Sequence, residues 1–306
     1  MQQTYAFVFP GQGSQAPGML DGVAHNERLG RLVDAAEALT GLPLRTLAAQ
    51  GPKEELADTR AAQPLLYLAD WTWGVSALDA GISPAALAGH SLGEFAALAL
   101  AGAFSVEAGL ELVAERSRLM AAAAQASPGS MTAVLGLDEA QIADAIAAIP
   151  DVWVANDNAP GQMIISGTTA ALTRAEDALK QVGARRTLRL AVSGAFHSPL
   201  MSSAADEFGD LLDQTDIRDT TLPVIQNVTA TPTTLATEIR VNLKAQITAP
   251  VRWTETMRTL QTLGVTHIVE TGPGTVLKGL AKRVDGLTAF SVSEDDLSSI
   301  MEVLAS

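Results

Sequence analysis

The chain contains no cysteine, which excludes disulfides, zinc–thiolate sites and thiol nucleophiles. Aromatic residues are scarce, at 4% against a hydrophobic fraction of 47%. The interior must therefore be built from alanine, leucine and valine, a composition that argues against disorder and coiled coil. No apolar stretch reaches the length of a membrane span. The opening "MQQTYAFVFPGQGSQ" lacks the basic region and apolar block of a signal peptide, so a soluble cytoplasmic protein is the expectation. Basic residues are also in deficit: 20 Lys+Arg against 34 Asp+Glu leave a net charge of -14. That balance argues against non-specific binding to nucleic acid, whose phosphates require lysine and arginine clusters. An acidic partner would need a local basic patch, and two clusters qualify: Lys180, Arg185, Arg186 and Arg189, or Lys278, Lys282 and Arg283.

What is present is an alternation of strand-like and helix-like segments. The 306 residues lie near the upper limit for one core and predict a large domain carrying a smaller one. No fixed-period repeat interrupts the pattern. "YAFVFPG" (5–11) predicts a buried strand stopped by Pro10-Gly11, and helical spacing follows over 27–40 and 63–80. "AALAGHS" (85–91) predicts a strand leading directly into an alanine-rich helix. From 129 to 193 the order is strand (130–137), helix (138–149), two strands (151–157 and 162–167), helix (169–183) and strand (185–193). This β-α-β-β-α-β order predicts a ferredoxin-like unit. The main unit then comprises 1–128 and 194–306, with a further strand at 265–274 and helix at 276–284. Alternating strands and helices predict an α/β fold around a largely parallel sheet.

Gly89-His90-Ser91-Leu92-Gly93 fits G-x-S-x-G between a strand and a helix. The glycines permit the strained turn that lifts a serine hydroxyl clear of a sheet. The N–H groups opening the next helix favour negative charge at the same place. A serine nucleophile needs a base, and four histidines are available. His90 is adjacent but points away in such a turn and reads as structural. His25 lies in the polar "AHNER", and His267 in an apolar strand where a core role is expected. His197 remains, in the loop "VSGAFHSPLM" where catalytic groups tend to sit. Arg116 and Arg118 share one helix, and spacing does not choose between them or against a surface pair with Glu115 or Glu111. "FPGQGSQ" (9–15) is either an ordinary turn or a loop aiming a backbone N–H or the Gln12 amide at a reaction centre.

Together, "FPGQGSQ", "GHSLGEFAALALAG", "ERSRLM", "AFHSPLM", "QITAPVRW" and "ETGPGTVLKGL" resemble the malonyl-CoA:acyl carrier protein transacylases and the acyltransferase domains of polyketide synthases. The motifs occur in the family's order. The resemblance implies an α/β-hydrolase-like core with an inserted ferredoxin-like subdomain and the active site between them. It implies Ser91 as the acylated nucleophile, His197 as its base, and Arg116 as the partner of the malonyl carboxylate. Gln12 and the N–H of Leu92 would form the oxyanion hole. The carbonyl of Gln246 would orient the imidazole in place of a carboxylate, making a Ser-His dyad. Asn158 and Gln162 match a segment near the acyl pocket.

The implied reaction moves malonyl from malonyl-CoA, through a malonyl-serine, to the phosphopantetheine thiol of acyl carrier protein, with no bound cofactor and no metal. Phe196 resembles the form associated with malonyl-selective polyketide enzymes, so both fatty-acid and polyketide pathways are open. A bulky side chain there would crowd a branch at the α-carbon. A serine hydrolase or thioesterase, the acyltransferase subunit of a malonate decarboxylase, and a non-catalytic docking module are the rival readings. The intact Ser91, His197, Gln12 and Arg116 set argues against the last. Acyl carrier proteins being acidic, a basic rim including Lys180, Arg189, Lys278 and Lys282 is expected to receive the partner, and a monomer is compatible with the sequence.

Overall fold

The computed structural model describes residues 4–23 and 26–304; His25 lies outside them. In chain order the strands are β1 (Tyr5–Phe9), β2 (Ala86–Gly89), β3 (Ser130–Leu135), β4 (Val152–Ala159), β5 (Gln162–Gly167), β6 (Arg186–Arg189), β7 (Val224–Ile225), β8 (Pro232–Thr233), β9 (Val251–Arg252), β10 (His267–Glu270) and β11 (Thr288–Ser291). They form two sheets among the described residues. The larger has the order β11-β10-β1-β2-β7-β8 and is parallel except for the final β7–β8 pair.

Both faces of this sheet are covered, which is why its central strands are apolar without a break. Side chains alternate across β1: Phe7 and Phe9 face one core with Leu87 of β2, and Ala6 and Val8 face the other with Ala86 and Ala88. The first core holds the helices Glu27–Thr40, Thr59–Asp79, Gly93–Ala101 and Val106–Ala126. The second takes Trp253–Thr262 and Val276–Ala281. The larger side chains of β1 and β2 thus meet the first core, and the alanines let the helices of the second approach closely.

The smaller sheet has the order β6-β3-β5-β4-β9. Its first four strands are antiparallel and, with helices Glu139–Ile146 and Thr169–Gln181, form the ferredoxin-like arrangement. It keeps a core of its own around Val134, Ile142, Ile165, Leu172 and Leu179. The fifth strand, β9, pairs in parallel with β4 through Asn156–Val251 and Asp157–Arg252. Residues 129–193 therefore do not complete this sheet alone.

Three local expectations shift. The helix expected over 63–80 begins a turn earlier, at Thr59, where the Asp58 side chain caps the N–H of Arg60; Pro64 is accommodated within it. The strand expected over 185–193 ends at Arg189, one residue short of the last β3 backbone bond, Leu190 N–H to Met131 O at 2.9 Å. His267 is half-buried, stacked on Phe290 at the start of β10. Full burial begins only at its neighbour Ile268.

Candidate active site

Strand β2 ends at Gly89 and the next helix starts at Gly93, leaving three residues for the reversal. A side chain at Gly89 would lie 2.0 Å from the Gly93 carbonyl carbon, and one at Gly93 would lie 2.1 Å from Phe9 O. Only glycine fits either position. Ser91 takes the left-handed conformation, φ +50°, which costs a non-glycine residue about 1–2 kcal/mol. The fully buried Asn227 holds the turn: its Oδ1 accepts from Ser91 N–H at 2.6 Å and its Nδ2 donates to Gly89 O at 2.6 Å. Its own N–H donates to Glu94 Oε2 at 2.7 Å, and Gln226 Nε2 donates to Glu94 Oε1 at 3.2 Å. Glu94 is wholly buried, and burial pushes its pKa up to about 7 against these donors.

His197 sits in the loop after the smaller sheet, also left-handed at φ +56°. Its Nε2 lies 2.8 Å from Ser91 Oγ. Its Nδ1 faces two carbonyls, Gln246 O at 3.0 Å and Ala249 O at 3.2 Å. Carbonyls only accept, so the proton belongs on Nδ1 and the Nε2 lone pair faces the hydroxyl. No carboxylate contacts the ring among the described residues. Burial, then the Arg116 cation, pushes the imidazole pKa down to about 3, so the ring is neutral at pH 7. The preceding Phe196 is fixed by Ser166 Oγ, which donates to its carbonyl at 2.7 Å.

The two arginines lie in different surroundings. Arg118 forms a surface pair with Glu115, Nε to Oε2 at 2.8 Å. Arg116 is 1% exposed and points to the serine. Its Nη2 donates to Ser91 Oγ at 3.2 Å and to Gln246 Oε1 at 3.1 Å, and its Nη1 donates to Gln63 Oε1 at 2.6 Å. Gln246 also donates from Nε2 to Ser91 O at 3.0 Å, so its side chain joins the site as well as its carbonyl. Burial pulls the Arg116 pKa down to about 10, opposed by Glu94; the group stays cationic at pH 7.

Gly11 packs so closely on the elbow that an added Cβ would meet His90 O at 2.4 Å, which brings Gln12 alongside Ser91. The Gln12 amide itself is turned away: Nε2 donates to Ala57 O at 3.3 Å and Oε1 accepts from Thr59 Oγ1 at 3.1 Å. Its main-chain N–H, like that of Leu92, donates to no group among the described residues. A cavity of about 150 Å³ opens here, walled by Gln12, Gln63, Ser91, Leu92, Arg116, Phe196 and His197 with apolar Met120, Met131, Ile164, Leu190 and Val192. His90, Asn156 and Asn158 complete the wall, His90 and Asn158 being joined Nε2 to Oδ1 at 2.8 Å. Gln162, at the start of β5, is not part of it.

Gln63, Asn156, Asn227 and Glu94 were not singled out from the sequence, although Glu94 closes the quoted "GHSLGE". Of the cations expected at a basic rim, Arg189 is bonded to Glu176, Lys180 to Asp177, and Lys278 to Glu294 and Asp295. Arg185, Arg186 and Lys282 are exposed. No helix among the described residues is long and apolar enough to cross a membrane.

Comparison with known proteins identifies the family. Residues 6–295 match the family model described as an acyl transferase domain. The malonyl CoA-acyl carrier protein transacylase of Salmonella typhimurium is 42% identical over 296 residues, covering 95% of this chain and 96% of that protein. The structure of the Coxiella burnetii transacylase superposes with a TM-score of 0.92 at 36% identity, covering 100% of this chain and 98% of that one. A type II PKS acyl-carrier protein in complex with its malonyl-transacylase gives 0.91 at 38% identity, covering 99% of each chain. The chain therefore belongs to the acyl transferase family, the family of the malonyl CoA-acyl carrier protein transacylases.

Proposed function

We propose that the protein transfers a malonyl group from malonyl-CoA to the phosphopantetheine thiol of acyl carrier protein, in the cytoplasm and for fatty-acid synthesis. One observation carries the reading. Ser91 Oγ stands between a neutral imidazole nitrogen at 2.8 Å and a buried guanidinium at 3.2 Å. That puts a general base and a carboxylate partner at one hydroxyl, the two groups needed to transfer an acyl group that ends in a carboxylate.

In this mechanism Ser91 Oγ attacks the thioester carbonyl and passes its proton to His197 Nε2. The main-chain N–H groups of Gln12 and Leu92 receive the tetrahedral oxyanion; one such donor is typically worth about 3 kcal/mol. The C–S bond breaks, the departing coenzyme A sulfur takes the proton from the imidazolium, and malonyl-Ser91 remains. The carrier thiol then gives its proton to His197 and attacks the ester carbonyl. Collapse returns the proton to Ser91 Oγ and releases malonyl-carrier. Arg116 pairs with the malonyl carboxylate throughout. The apolar wall keeps water from the ester, which favours transfer over hydrolysis. Phe196 narrows the cavity beside the α-carbon.

Removing one partner of a desolvated charge pair costs about 2–5 kcal/mol. Arg116→Ala is therefore expected to lower kcat/KM for malonyl-CoA by about 30- to 5000-fold while acetyl-CoA becomes the better donor. Steady-state rates with both thioesters check this, and an unchanged malonyl preference would contradict it. The similarity to a transacylase bound to a polyketide carrier supports a second pathway reading. A kcat/KM higher with a polyketide carrier than with a fatty-acid carrier would favour it.

A further inference from the structure

In the free protein the Arg116 guanidinium already has acceptors, and one of them is the attacking group. Nη1 is held by Gln63 Oε1 at 2.6 Å, while Nη2 is divided between Gln246 Oε1 at 3.1 Å and Ser91 Oγ at 3.2 Å. The Ser91 hydroxyl donates to His197 Nε2, and the guanidinium takes one of its two lone pairs. Bonding to a cation draws electron density from the oxygen and fixes its orientation, which opposes attack on a carbonyl. The same cation bears on His197: of the charged and titratable groups around that ring, Arg116 and His90 both oppose its protonation. Glu94 lies beneath the elbow, held by Asn227 and Gln226 and opposite Arg116 in charge.

A carboxylate is a stronger acceptor for a guanidinium than a neutral hydroxyl or amide oxygen, and it binds two N–H groups at once. Resting on the malonyl-transfer reading, we propose that Arg116 is a switch as well as an anchor. In the free enzyme it restrains Ser91 Oγ, and an acyl group bearing a free carboxylate draws Nη2 away and releases the Ser91–His197 pair. Gln63 is the pivot, since the Nη1 bond need not break. Acyl groups without a carboxylate leave the restraint in place. They are then rejected at the chemical step as well as in binding, through kcat as well as KM.

The test uses the intact protein with labelled histidine, the His197 resonance being assigned by its loss in His197→Gln. Malonamate carries one carboxylate and an amide in place of the thioester; acetamide lacks the carboxylate. At pH 7, where malonamate is ionised, it is expected to shift the His197 Nε2 resonance, and acetamide to leave it unmoved. In Arg116→Ala the resonance should already be shifted without ligand. Phenylmethanesulfonyl fluoride, a neutral serine reagent, should modify Ser91 at least about fivefold faster there than in wild type.

Malonamate that saturates the wild-type protein without moving His197 would overturn the switch while leaving the anchor intact. A sulfonylation rate in Arg116→Ala equal to or below wild type would overturn it too. The malonamate–acetamide comparison decides on wild type alone if the variant does not fold. Malonamate that does not bind, in a protein that malonyl-CoA also fails to acylate, would overturn the transfer reading and the switch together.

Discussion

At the residue scale the site depends on how Ser91 is held. Asn227 ties Gly89 O and Ser91 N–H together from one buried side chain. Asn227→Ala leaves both backbone groups without that partner, at about 1–3 kcal/mol each. Thermal melts should show the loss, and rapid-quench loading with malonyl-CoA should show kcat falling while KM scarcely moves. A KM effect alone would assign Asn227 to substrate contact instead. His197 gives a pH signature. Its folded pKa, about 3, lies below the ordinary 6.5. Its contribution to stability is thus complete above pH 6.5 and is lost as pH falls toward 3. The acid limb of kcat/KM, which reports the free enzyme, should likewise lie well below 6.5.

Much of this was legible locally. The five residues around Ser91 are contiguous, so their glycine spacing carries the turn. His197 emerged by elimination among four histidines. Arg116 was not separable from Arg118 by spacing: two residues apart on one helix they face nearly opposite sides, about 200° apart, and nothing local says which side meets the core; the family motif implies Arg116, and the fold buries that one beside Ser91. Asn227 and Gln63 carried no local signal. Each is a single polar residue whose role exists only once distant segments meet, Asn227 lying 136 residues from Ser91 and Gln63 lying 53 from Arg116.

At the element scale, the strand ends of the larger sheet deliver the chemistry. β1 leads to the Gln12 loop, β2 to Ser91 and β7 to Asn227, with three neighbouring parallel or near-terminal strands converging on one rim. The helix Thr59–Asp79 contributes Gln63 to the site and, farther along, the wholly buried Asp70. Neither Asp70 carboxylate oxygen has a hydrogen-bond partner among the described residues. Burial, and then the facing Glu270, push its pKa well above the carboxylate range. A raised folded pKa means that stability is complete below the unfolded value near 3.8 and is lost as pH rises. Asp70→Asn removes that ionisation without changing shape. Its melting temperature should exceed wild type at pH 8, with the difference shrinking toward pH 4; a pH-independent difference would contradict the protonated state. The boundaries of such elements were less legible than their existence. The two-residue strand β9 is too short to carry a period, and β6 stops at Arg189, opposite Thr132, although β3 runs on to Ser130.

At the scale of the whole molecule, the cavity lies where the two sheets meet. The larger sheet supplies Ser91, and the smaller supplies Asn158, Ile164 and the chain leading to His197. Strand β6 connects the cavity to the surface: Leu190 and Val192, which follow it, are in the wall, while Arg185 and Arg186 are exposed at its other end. On a chain of net charge -14, such a cationic edge is the local attraction that an acidic carrier requires. Arg185→Glu with Arg186→Glu is expected to raise KM for holo carrier several-fold while leaving malonyl loading of Ser91 unchanged. Initial rates at varied carrier concentration and salt check it, and equal KM values would remove this edge from the docking surface.

The central claim is that Ser91 carries malonyl between two thiols, and intact-protein mass spectrometry tests it most directly. Wild type and Ser91→Ala are mixed briefly with malonyl-CoA, then with holo acyl carrier protein. One malonyl adduct on wild type alone, discharged to the carrier, is the predicted result. Free malonate accumulating without an adduct or carrier product, or an adduct persisting in Ser91→Ala, would contradict it.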